Sequence, residues 1–420
     1  MQESFSVERV SHPRRVLRVG QVRATNRAAV LRLLRRHRDL SRAEIARRIG
    51  LSEASVSRII GELLAQGLVV DVGSGPGTGG RPGTRLDLNQ DRFQSIGVDI
   101  ENWETQVVLG TATGRTLRTE RFRTPPGPSE TLERIAAAVA EVSADLSEPP
   151  LGIGVSTRGL VDSGHRIAEL GSNPAWVHVE IGDYLARLTN LPVYVENNVR
   201  AAALAEYAHG STDVQRAHCL LFILVGEGIG MAIVLDGKVY HGPHMAAGEI
   251  GQMVIADQGG PERHNRPGCL EALASDVATC DRYNNLVGAK ARLSASSNCA
   301  QQMRQICHLA MDGDPHARAA VTATARYLGI GIASAVWTLD ADAVVIDGPL
   351  TEAWPLVSPA IRDQFPEGPL FLNFRNLVLR PSSLGGEGSL IGAITLPLVP
   401  IFSDEGAFVE EVGPARAQRA

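Results

Sequence analysis

The sequence lacks any apolar run that approaches the roughly 18 residues that a membrane-spanning helix requires. Its first ten residues are polar and do not have the charged and apolar regions of a secretory signal peptide. Both absences predict a cytoplasmic protein that has no contact with a membrane.

Cysteine is also scarce. The five cysteines are odd in number, are scattered along the chain and form no C-x-x-C pair; they are Cys219, Cys269, Cys280, Cys299 and Cys307. This distribution argues against a disulfide framework and fits a reducing compartment.

Lysine is missing from residues 1–90, where sixteen arginines stand against eight acidic residues, so this segment carries a charge of about +8. Because the whole chain carries −5, the remaining residues carry about −13. A basic amino-terminal segment on an acidic body predicts a nucleic-acid-binding module joined to a part of different function. The 420 residues, 44% of them hydrophobic, are enough for two or three globular domains.

The basic segment has the sequence pattern of three helices. Residues 25–37 carry an apolar stripe with helical spacing. Ser41 and Glu44 form a capping box, in which each side chain accepts a hydrogen bond from the other residue's backbone N–H, and Gly50 ends the short helix that follows. Ser52 then begins a longer helix that ends at Gly67. Two helices joined by a tight turn predict a helix-turn-helix module.

Short polar and basic side chains on this module predict a surface that approaches the DNA major groove. The predicted DNA contacts are Ser41, Arg42, Ser52, Glu53, Ser55, Ser57 and Arg58. Two short strands around the glycine-rich residues 73–83 predict a wing, in which Arg81 is suited to the narrow minor groove of A·T-rich DNA. The alternatives are a three-helix module of another function and a flexible glycine linker in place of the wing.

In the acidic body, residues 191–206 predict a buried strand that leads directly into an alanine-rich helix. Ligands of α/β proteins bind at the carboxyl ends of such strands, which is where Asn197 and Asn198 stand. The simpler interpretation is that the two asparagines cap the helix.

The residues Val-Glu-Asn-Asn-Val-Arg-Ala-Ala-Ala-Leu-Ala-Glu at 195–206 resemble the sugar-pocket motif of the ROK family, named for repressors, open reading frames and kinases. Further similar motifs are Gly-Arg-Pro at 80–82, Ala-Gly-Glu-Ile-Gly at 247–251 and Gly-Cys-Leu-Glu at 268–271. The resemblance covers about residues 22–395. It implies an α/β protein in which a winged helix-turn-helix is followed by a duplicated actin-like (ribonuclease-H-like) sugar-kinase fold.

This fold implies a division of the chain into domains. We expect a DNA-binding domain over residues 1–90 and a first actin-like subdomain over 91–210, closed by about 385–400. A second subdomain over 211–384 is expected to carry oligomerisation contacts and the effector pocket. The tail, residues 401–420, has no periodicity and is expected to be mobile.

The resemblance also assigns the sugar pocket. It implies that Asn197, Glu249 and Glu271 bind sugar hydroxyls and that Gln252 replaces a histidine of the pocket. Asn198 stands where the kinases of the family have the aspartate that acts as general base. An amide cannot accept a proton near neutral pH, although it still forms hydrogen bonds with hydroxyl groups.

Both phosphate loops of the kinases are altered. The first, Asp-x-Gly-Gly-Thr, corresponds here to Asp-Ile-Glu-Asn-Trp at 99–103, and the threonine of the second is replaced by Glu227. A carboxylate beside a triphosphate lowers affinity through like-charge repulsion. Together with Asn198, these departures predict that the chain is not an enzyme.

The family's structural zinc would be held by the positions Gln252, Glu262, His264 and Cys269. Only Cys269 is the residue that the family has, and glutamine is a poor zinc ligand. We therefore expect no cofactor, and a metal held by the other three residues is the alternative.

The expected function is a sequence-specific DNA-binding transcriptional regulator, a repressor of carbohydrate-related genes. As a homodimer or homotetramer it would bind a palindromic, A·T-rich double-stranded DNA operator and respond to a sugar or sugar-phosphate effector. Two alternatives stay open. One is a regulator with a vestigial sugar pocket that is controlled by a protein partner, and the other is an active sugar kinase.

Overall fold

The structure is a computed structural model of the chain. It describes residues 19–74, 84–170, 175–259, 266–288, 293, 298–365 and 376–402. The chain divides into two compact units, one of residues 1–89 together with 399–420 and one of residues 90–398.

The first unit begins with three helices, α1 (Val19–Arg36), α2 (Arg42–Ile49) and α3 (Glu53–Ala65). The capping box of Ser41 and Glu44 is present at the start of α2. Gly50 ends that helix with φ at 69°, a left-handed conformation that glycine adopts without a Cβ clash. Ser52 caps α3. The apolar stripes predicted from the sequence are buried between these helices; their fully buried members include Leu31, Leu34, Ile45, Ile60 and Leu63.

A small antiparallel sheet completes this unit. Its strands are β1 (Leu40–Ser41), β2 (Val69–Ser74) and β3 (Thr84–Leu88), in the order β1-β3-β2. Strands β2 and β3 are the strands of the predicted wing, whereas its tip, residues 75–83, lies outside the described residues. Three helices and this sheet give the predicted winged helix-turn-helix.

A short helix near the other end of the chain, α13 (Val399–Phe402), belongs to the first unit. Arg32 Nη1 donates to the carbonyl oxygen of Phe402 at 2.9 Å, and the Arg35 guanidinium lies 4.7 Å from the centre of the Phe402 ring. Burial lowers the pKa of Arg35 to about 10, with the charges of Arg36 and Arg32 as smaller causes. Of the predicted mobile tail, only residues 401–402 are described, and they lie in this helix.

The second unit contains two five-stranded sheets. The first has the order β11-β7-β4-β5-β6 and is built from β4 (Gln94–Ile100), β5 (Glu104–Thr111), β6 (Thr116–Arg123), β7 (Ile153–Thr157) and β11 (Val193–Asn197). Helices α4 (Pro128–Ser143) and α5 (Ile181–Thr189) pack on it. A separate small sheet is formed by β8 (Leu160–Asp162), β9 (Ile167–Leu170) and β10 (Val177–Val179).

The register of the first sheet brings three chain segments together. Strands β4, β7 and β11 are parallel, and Thr157 pairs with both Ile100 and Asn197. The three strands therefore end at one edge of the sheet. The residues that follow them, from 101, 158 and 198, are neighbours in space for this reason.

The second sheet has the order β14-β13-β12-β15-β16 and contains β12 (Cys219–Val225), β13 (Ile229–Leu235), β14 (Lys238–Val239), β15 (Ala343–Asp347) and β16 (Val378–Pro381). Its helices are α7 (Leu270–Ala274), α8 (Asp276–Val287), α9 (Cys299–Met311), α10 (Pro315–Leu339) and α11 (Trp354–Arg362). Among the described helices, α10 alone is long and apolar enough to cross a membrane, but 61% of its apolar window is buried inside the unit. It is a core helix.

Two helices, α6 (Asn198–His209) and α12 (Gly388–Thr395), lie between the two sheets. Helix α12 packs on the first sheet, and α6 packs on the second. A Cβ atom on Gly392 would lie 2.0 Å from the carbonyl oxygen of Ala201, so this helix pair requires small residues. The alanine-rich sequence of α6 is explained by this close contact. Two similar sheets around these helices agree with the predicted duplicated α/β fold.

Candidate functional sites

Two of the serines predicted to contact DNA have hydroxyls that are engaged in helix caps. The Ser41 hydroxyl donates to Glu44 Oε2 at 2.8 Å, and Ser52 Oγ accepts from the N–H of Ser55 at 3.2 Å. Hydrogen bonds from Ser41 lower the pKa of Glu44, which keeps the capping carboxylate charged. These serines therefore fix where α2 and α3 begin.

Other side chains form the exposed face of the helix-turn-helix. Glu53, Ser57 and Arg58 are exposed on α3, whereas Ser55 and Arg42 are partly buried. Sequence reasoning did not include Arg47 and Arg48, which are exposed in the last turn of α2. The only sequence signal for these two arginines is that they follow Ile45 and Ala46 and interrupt the apolar positions of α2. The predicted wing contact Arg81 lies outside the described residues.

In the second unit, we divide the candidate site residues into two groups, which contain predicted residues together with Arg158 and Asp276. The sugar side comprises Asn197, Asn198, Glu249, Gln252 and Glu271, and the phosphate side comprises Asp99, Glu101, Arg158, Glu227 and Asp276. Asn197 and Asn198 stand at the carboxyl end of β11. In the second group, Asp99 and Glu101 stand at the end of β4, Arg158 follows β7, Glu227 follows β12 and Asp276 begins α8.

Asn197 is the N-cap of α6. Its Oδ1 accepts from the N–H groups of Val199 and Arg200 at 2.9 and 3.3 Å, and its Nδ2 donates to the carbonyl oxygen of Gly159 at 2.8 Å. The side-chain oxygen is thus committed to the helix, as the simpler interpretation of the sequence requires. One amide hydrogen remains for a ligand.

Asn198, the first residue of α6, is more available. The residue is 7% exposed, and its side-chain amide has no hydrogen-bond partner in the described part of the chain. An amide in this position offers two donors and an acceptor. Asn198 is therefore the asparagine whose amide is free to pair with a hydroxyl.

A buried charged network supports this region. Glu196 accepts from His241 Nε2 at 2.7 Å and from Arg200 Nη1 at 3.4 Å, and it also accepts from the N–H of Asn197 at 2.8 Å. Arg200 Nη2 donates to the carbonyl oxygen of Met245. The side chains of Glu196 and Arg200 are 5% and 4% exposed, so this pair is desolvated and depends on its partners. The network holds β11, α6 and the loop after β14 together.

The two glutamates of the sugar side differ in their contacts. Glu249 has no hydrogen-bond partner among the described residues, and partial desolvation raises its pKa, with the Arg200 charge opposing. The residue before Glu249 is Gly248, which has φ at 94°. A Cβ atom on this residue would lie 1.9 Å from the carbonyl oxygen of Met231, so glycine is required here. Glu271 Oε2, in contrast, accepts from the N–H of Ile229 at 3.0 Å. Gln252 is exposed.

On the phosphate side, carboxylates converge from both sheets. Arg158 Nε lies 2.6 Å from Glu101 Oε2, and Arg158 Nη1 lies 3.8 Å from Glu227 Oε2. Burial raises the pKa of Glu101 to about 7, with Arg158 opposing. Asp99 is buried beside Ser389, whose hydroxyl donates to Asp99 Oδ1 at 2.5 Å, and burial raises the pKa of this carboxyl too.

Asp276 is a member of the phosphate side that sequence reasoning missed. It is the first residue of α8, it is 1% exposed, and its Oδ1 has no hydrogen-bond partner among the described residues. Its N–H donates to the carbonyl oxygen of Gly226, next to Glu227, at 2.8 Å. Burial raises the pKa of Asp276 to about 8, and the Glu227 charge adds to this. A helix N-terminus normally attracts anions, and here a carboxylate stands at that position.

The predicted metal positions are only partly described. Cys269 is buried, Gln252 is exposed, and Glu262 and His264 lie outside the described residues. Within the described ranges, no three His, Cys, Asp or Glu side chains come together as metal ligands. The neutral amide of Gln252 does not fit a zinc site.

Two family profiles match the chain, each over one part. The profile of the ROK family matches residues 95–398, and the profile of the MarR family matches residues 24–77. The first match covers most of the second unit, and the second covers α2, α3, β2 and all of α1 except its first five residues.

Among proteins of known name, a xylose repressor of Caldicellulosiruptor bescii is 28% identical over 386 residues, which are 90% of this chain and 96% of that protein. A solved ROK family transcriptional regulator, described as a homologue of the E. coli Mlc protein, superposes with a TM-score of 0.74 at 25% identity over 92% of this chain and 98% of that chain. A ROK family glucokinase from Streptomyces griseus, solved with glucose and AMPPNP, has a TM-score of 0.60 at 25% identity and covers 72% of this chain and 98% of its own.

Proposed function

Because the chain belongs to the ROK family, we propose that it is a sequence-specific DNA-binding repressor of carbohydrate-related genes, controlled by a sugar or sugar derivative. A C. bescii relative that matches nearly the whole chain is named a xylose repressor, and a solved ROK family transcriptional regulator covers 92% of the chain, which includes residues of both units. The glucokinase match covers only 72% of the chain, and so leaves room for an additional DNA-binding part.

One observation supports a regulator over a kinase most strongly. The sugar side offers Asn198 and the exposed Glu249, which have no hydrogen-bond partner among the described residues, whereas the phosphate side carries the carboxyl groups of Glu101, Glu227 and Asp276. Phosphoryl transfer requires groups that neutralise negative charge as it develops. Carboxylates do the opposite, and Asn198 cannot act as a base. The site is suited to holding a sugar without phosphorylating it.

DNA binding is assigned to the first unit. Ser57 and Arg58 on α3, and Arg47 and Arg48 on α2, are exposed where short polar and basic side chains approach base edges and phosphates. The caps at Ser41 and Ser52 fix both helices. Arg81 is proposed to enter the minor groove. A homodimer or homotetramer would place two such units on a palindromic, A·T-rich operator in the cytoplasm.

Control by the effector requires that the sugar binds one arrangement of the DNA-binding units more tightly than the other. We place the effector contacts at Asn198 and Glu249, with Glu271, Gln252 and the remaining amide hydrogen of Asn197 around them. An effector that binds both arrangements equally would not change operator affinity.

The test is fluorescence anisotropy of labelled DNA from the chain's own promoter region, measured across a panel of sugars and sugar phosphates. We expect specific binding that one sugar releases. Replacement of Arg58 by alanine should weaken binding by about tenfold and lower the salt dependence by roughly one phosphate contact. Specific binding that no sugar alters would favour control by a protein partner, and the absence of specific binding at low salt would refute the proposal.

A further inference from the structure

Two of the five cysteines are in contact with each other. Cys280 lies in the middle of α8 and is 4% exposed, and Cys299 is the first residue of α9. Their side chains share a hydrogen bond where the two helices pack together. All five cysteines lie in the described part of the chain, and each is a free thiol. The fold of the second unit therefore brings together two thiols that are distant in sequence.

Both helices are held in place around this pair. Asn298 forms a capping box at the start of α9, which fixes the position of Cys299. On α8, Thr279 Oγ1 lies 2.7 Å from Thr324 Oγ1, so that the residue before Cys280 is anchored to α10. Both cysteines also pack in the hydrophobic core of the second unit. The contact between the two sulfur atoms is thus set by the packing of three helices.

The two thiols differ in their access to solvent. Cys299 is partly exposed, whereas Cys280 is buried. The hydrogen bond with Cys299 is the largest cause that raises the pKa of Cys280, and burial adds to it, so Cys280 keeps its proton. Oxidants act on thiols that solvent reaches. Cys299 is therefore the sulfur that reacts first, and Cys280 stands beside it as the second thiol.

Cys307, on the same helix as Cys299, provides a contrast. It is fully buried, and its Sγ donates to the carbonyl oxygen of Pro349 at 3.5 Å. A buried cysteine of this kind behaves as a small apolar side chain and is inert. Position 299 differs, because its sulfur contacts a second sulfur and the residue is partly exposed.

We propose that Cys280 and Cys299 are a site of reversible oxidation, at which a hydroperoxide converts the two thiols into a disulfide between α8 and α9. The proposal goes beyond the proposed function and does not depend on it, because neither cysteine belongs to the sugar side, the phosphate side or the DNA-binding unit. In a reducing compartment such a pair rests as thiols and forms the disulfide only transiently.

The reaction balances with hydrogen peroxide as the only oxidant. Cys299 Sγ attacks one peroxide oxygen, the O–O bond breaks, and the products are a sulfenic acid and water. Cys280 Sγ then attacks Cys299 Sγ, and the S–O bond breaks. The oxygen leaves as a second water molecule, which takes up the Cys280 proton. The two sulfurs lose two electrons in total, and the peroxide gains them.

The test is a count of free thiols in the full chain before and after exposure to hydrogen peroxide, with the thiols titrated in denaturant. We expect five before and three after, because the disulfide takes up two of the five. Dithiothreitol should restore all five. Trypsin cleaves after Lys290 and Arg292, so mass spectrometry of the oxidised chain should find one linked pair of peptides that contain Cys280 and Cys299.

The variant Cys299→Ser removes the thiol that the oxidant reaches, at a partly exposed helix start, so that the fold is retained. This variant has four thiols and should keep all four after peroxide, because Cys280 is buried. The matched control is Cys219→Ala, which removes a thiol of β12 and should fall from four thiols to two.

The variant Cys280→Ala tests the order of the two steps. Without the second thiol, the sulfenic acid on Cys299 persists and dimedone should label it. The wild type should take up about tenfold less label, because the disulfide closes first. Labelling of both chains to the same extent would show that Cys280 does not act as the second thiol.

Oxidation should raise the melting temperature of the wild type by about 5 °C, because the disulfide closes a loop of about 20 residues in the unfolded chain. Cys299→Ser should show no change. An oxidised wild type that melts below the reduced one would show that the bond forms only in a distorted arrangement and not between two thiols that the native helices hold together.

The proposal is overturned if five thiols remain after peroxide, if dithiothreitol does not restore the lost thiols, or if the linked peptides contain a cysteine other than Cys280 and Cys299. It is also overturned if Cys299→Ser loses two thiols as the wild type does. Operator binding, measured on the same preparation, tests the proposed function separately.

Discussion

The sugar side and the phosphate side of the second unit differ in whether their buried carboxyl groups have partners. Next to the sugar side, directly before Asn197, Glu196 is paired with both Arg200 and His241. On the phosphate side, Asp276 retains an unpartnered oxygen. Unpaired buried charge is costly and persists where a site serves a function. The comparison teaches that the two sides differ in how buried carboxyl groups are satisfied, since Glu196 is fully paired and Asp276 is not.

Breaking the network on the sugar side should have the largest effect. Glu196→Gln removes the charge that compensates Arg200, whose side chain is 4% exposed. Loss of one partner of a buried pair costs about 3–5 kcal/mol, so we expect a decrease of about 3 kcal/mol in the free energy of unfolding of the second unit. Urea denaturation monitored by circular dichroism measures it. A decrease below about 0.5 kcal/mol, the range of an ordinary surface change, would show that the two sides do not differ in this way.

The second prediction concerns the contacts of the sugar side with the effector. Glu249→Gln should weaken binding of the releasing sugar by about 10–100-fold, because hydrogen bonds to a charged group contribute roughly 1.5–3 kcal/mol. Affinity for operator DNA without sugar should stay unchanged. Calorimetry and DNA anisotropy measure the two quantities on one preparation, with Glu141→Gln as control. Equal sugar affinity in Glu249→Gln would remove Glu249 from the pocket.

On the phosphate side, the pKa of Asp276 is raised from 3.8 to about 8. The folded chain thus holds this proton more tightly than the unfolded chain, so the contribution to stability is present below about pH 4 and is lost as the pH rises to about 8. Asp276→Asn does not titrate, so the melting temperature of this variant relative to that of the wild type should rise between pH 5 and pH 8. The free energy of unfolding that one such carboxyl loses cannot exceed about 1.4 kcal/mol per pH unit.

Burial is the largest cause of the raised pKa of Asp276, and the groups that face this carboxyl modify it. Glu227 raises its pKa and Arg304 lowers it, and the thiols of Cys280 and Cys307, whose own pKa values are raised, lie nearby. Glu227→Gln should therefore reduce the pH dependence slightly. A melting temperature that differs between wild type and Asp276→Asn by the same amount at both pH values would refute an uncompensated carboxyl at this position.

The smallest expected effect is that of Asn198→Asp, which restores the residue of the kinases at the general-base position. We expect no measurable sugar phosphorylation from Mg-ATP, because the phosphate side still carries the carboxyl groups of Glu101, Glu227 and Asp276 in place of groups that neutralise the charge of the triphosphate. A coupled ADP assay detects it. Phosphorylation by this single variant would contradict the view that the phosphate side excludes nucleotides.

The first unit shows how far local sequence rules extend. The capping box of Ser41 and Glu44, the stop at Gly50 and the cap at Ser52 are found as predicted, because each depends on residues within one helical turn. Helix α1 begins at Val19 instead of residue 25, and residues 19–24 gave no apolar period from which to predict it.

The second unit shows what the sequence could not provide. The motif around Asn197 predicted the strand, the helix and the location of the site, but only the structure shows that the Asn197 oxygen caps α6 and that Asn198 has the free amide. Asp276 had no signal of its own, because an aspartate after a serine cap is ordinary at a helix start. Its significance arises from long-range packing beside Glu227, which no local pattern encodes.

The most direct test of the account is a sequential calorimetric titration of the wild-type chain, first with the sugar that releases its operator and then with Mg-ATP. The account predicts saturable binding of the sugar, no heat of binding for Mg-ATP in its presence, and unmodified sugar at the end. Binding of Mg-ATP to the sugar-saturated chain, with appearance of a sugar phosphate, would contradict it.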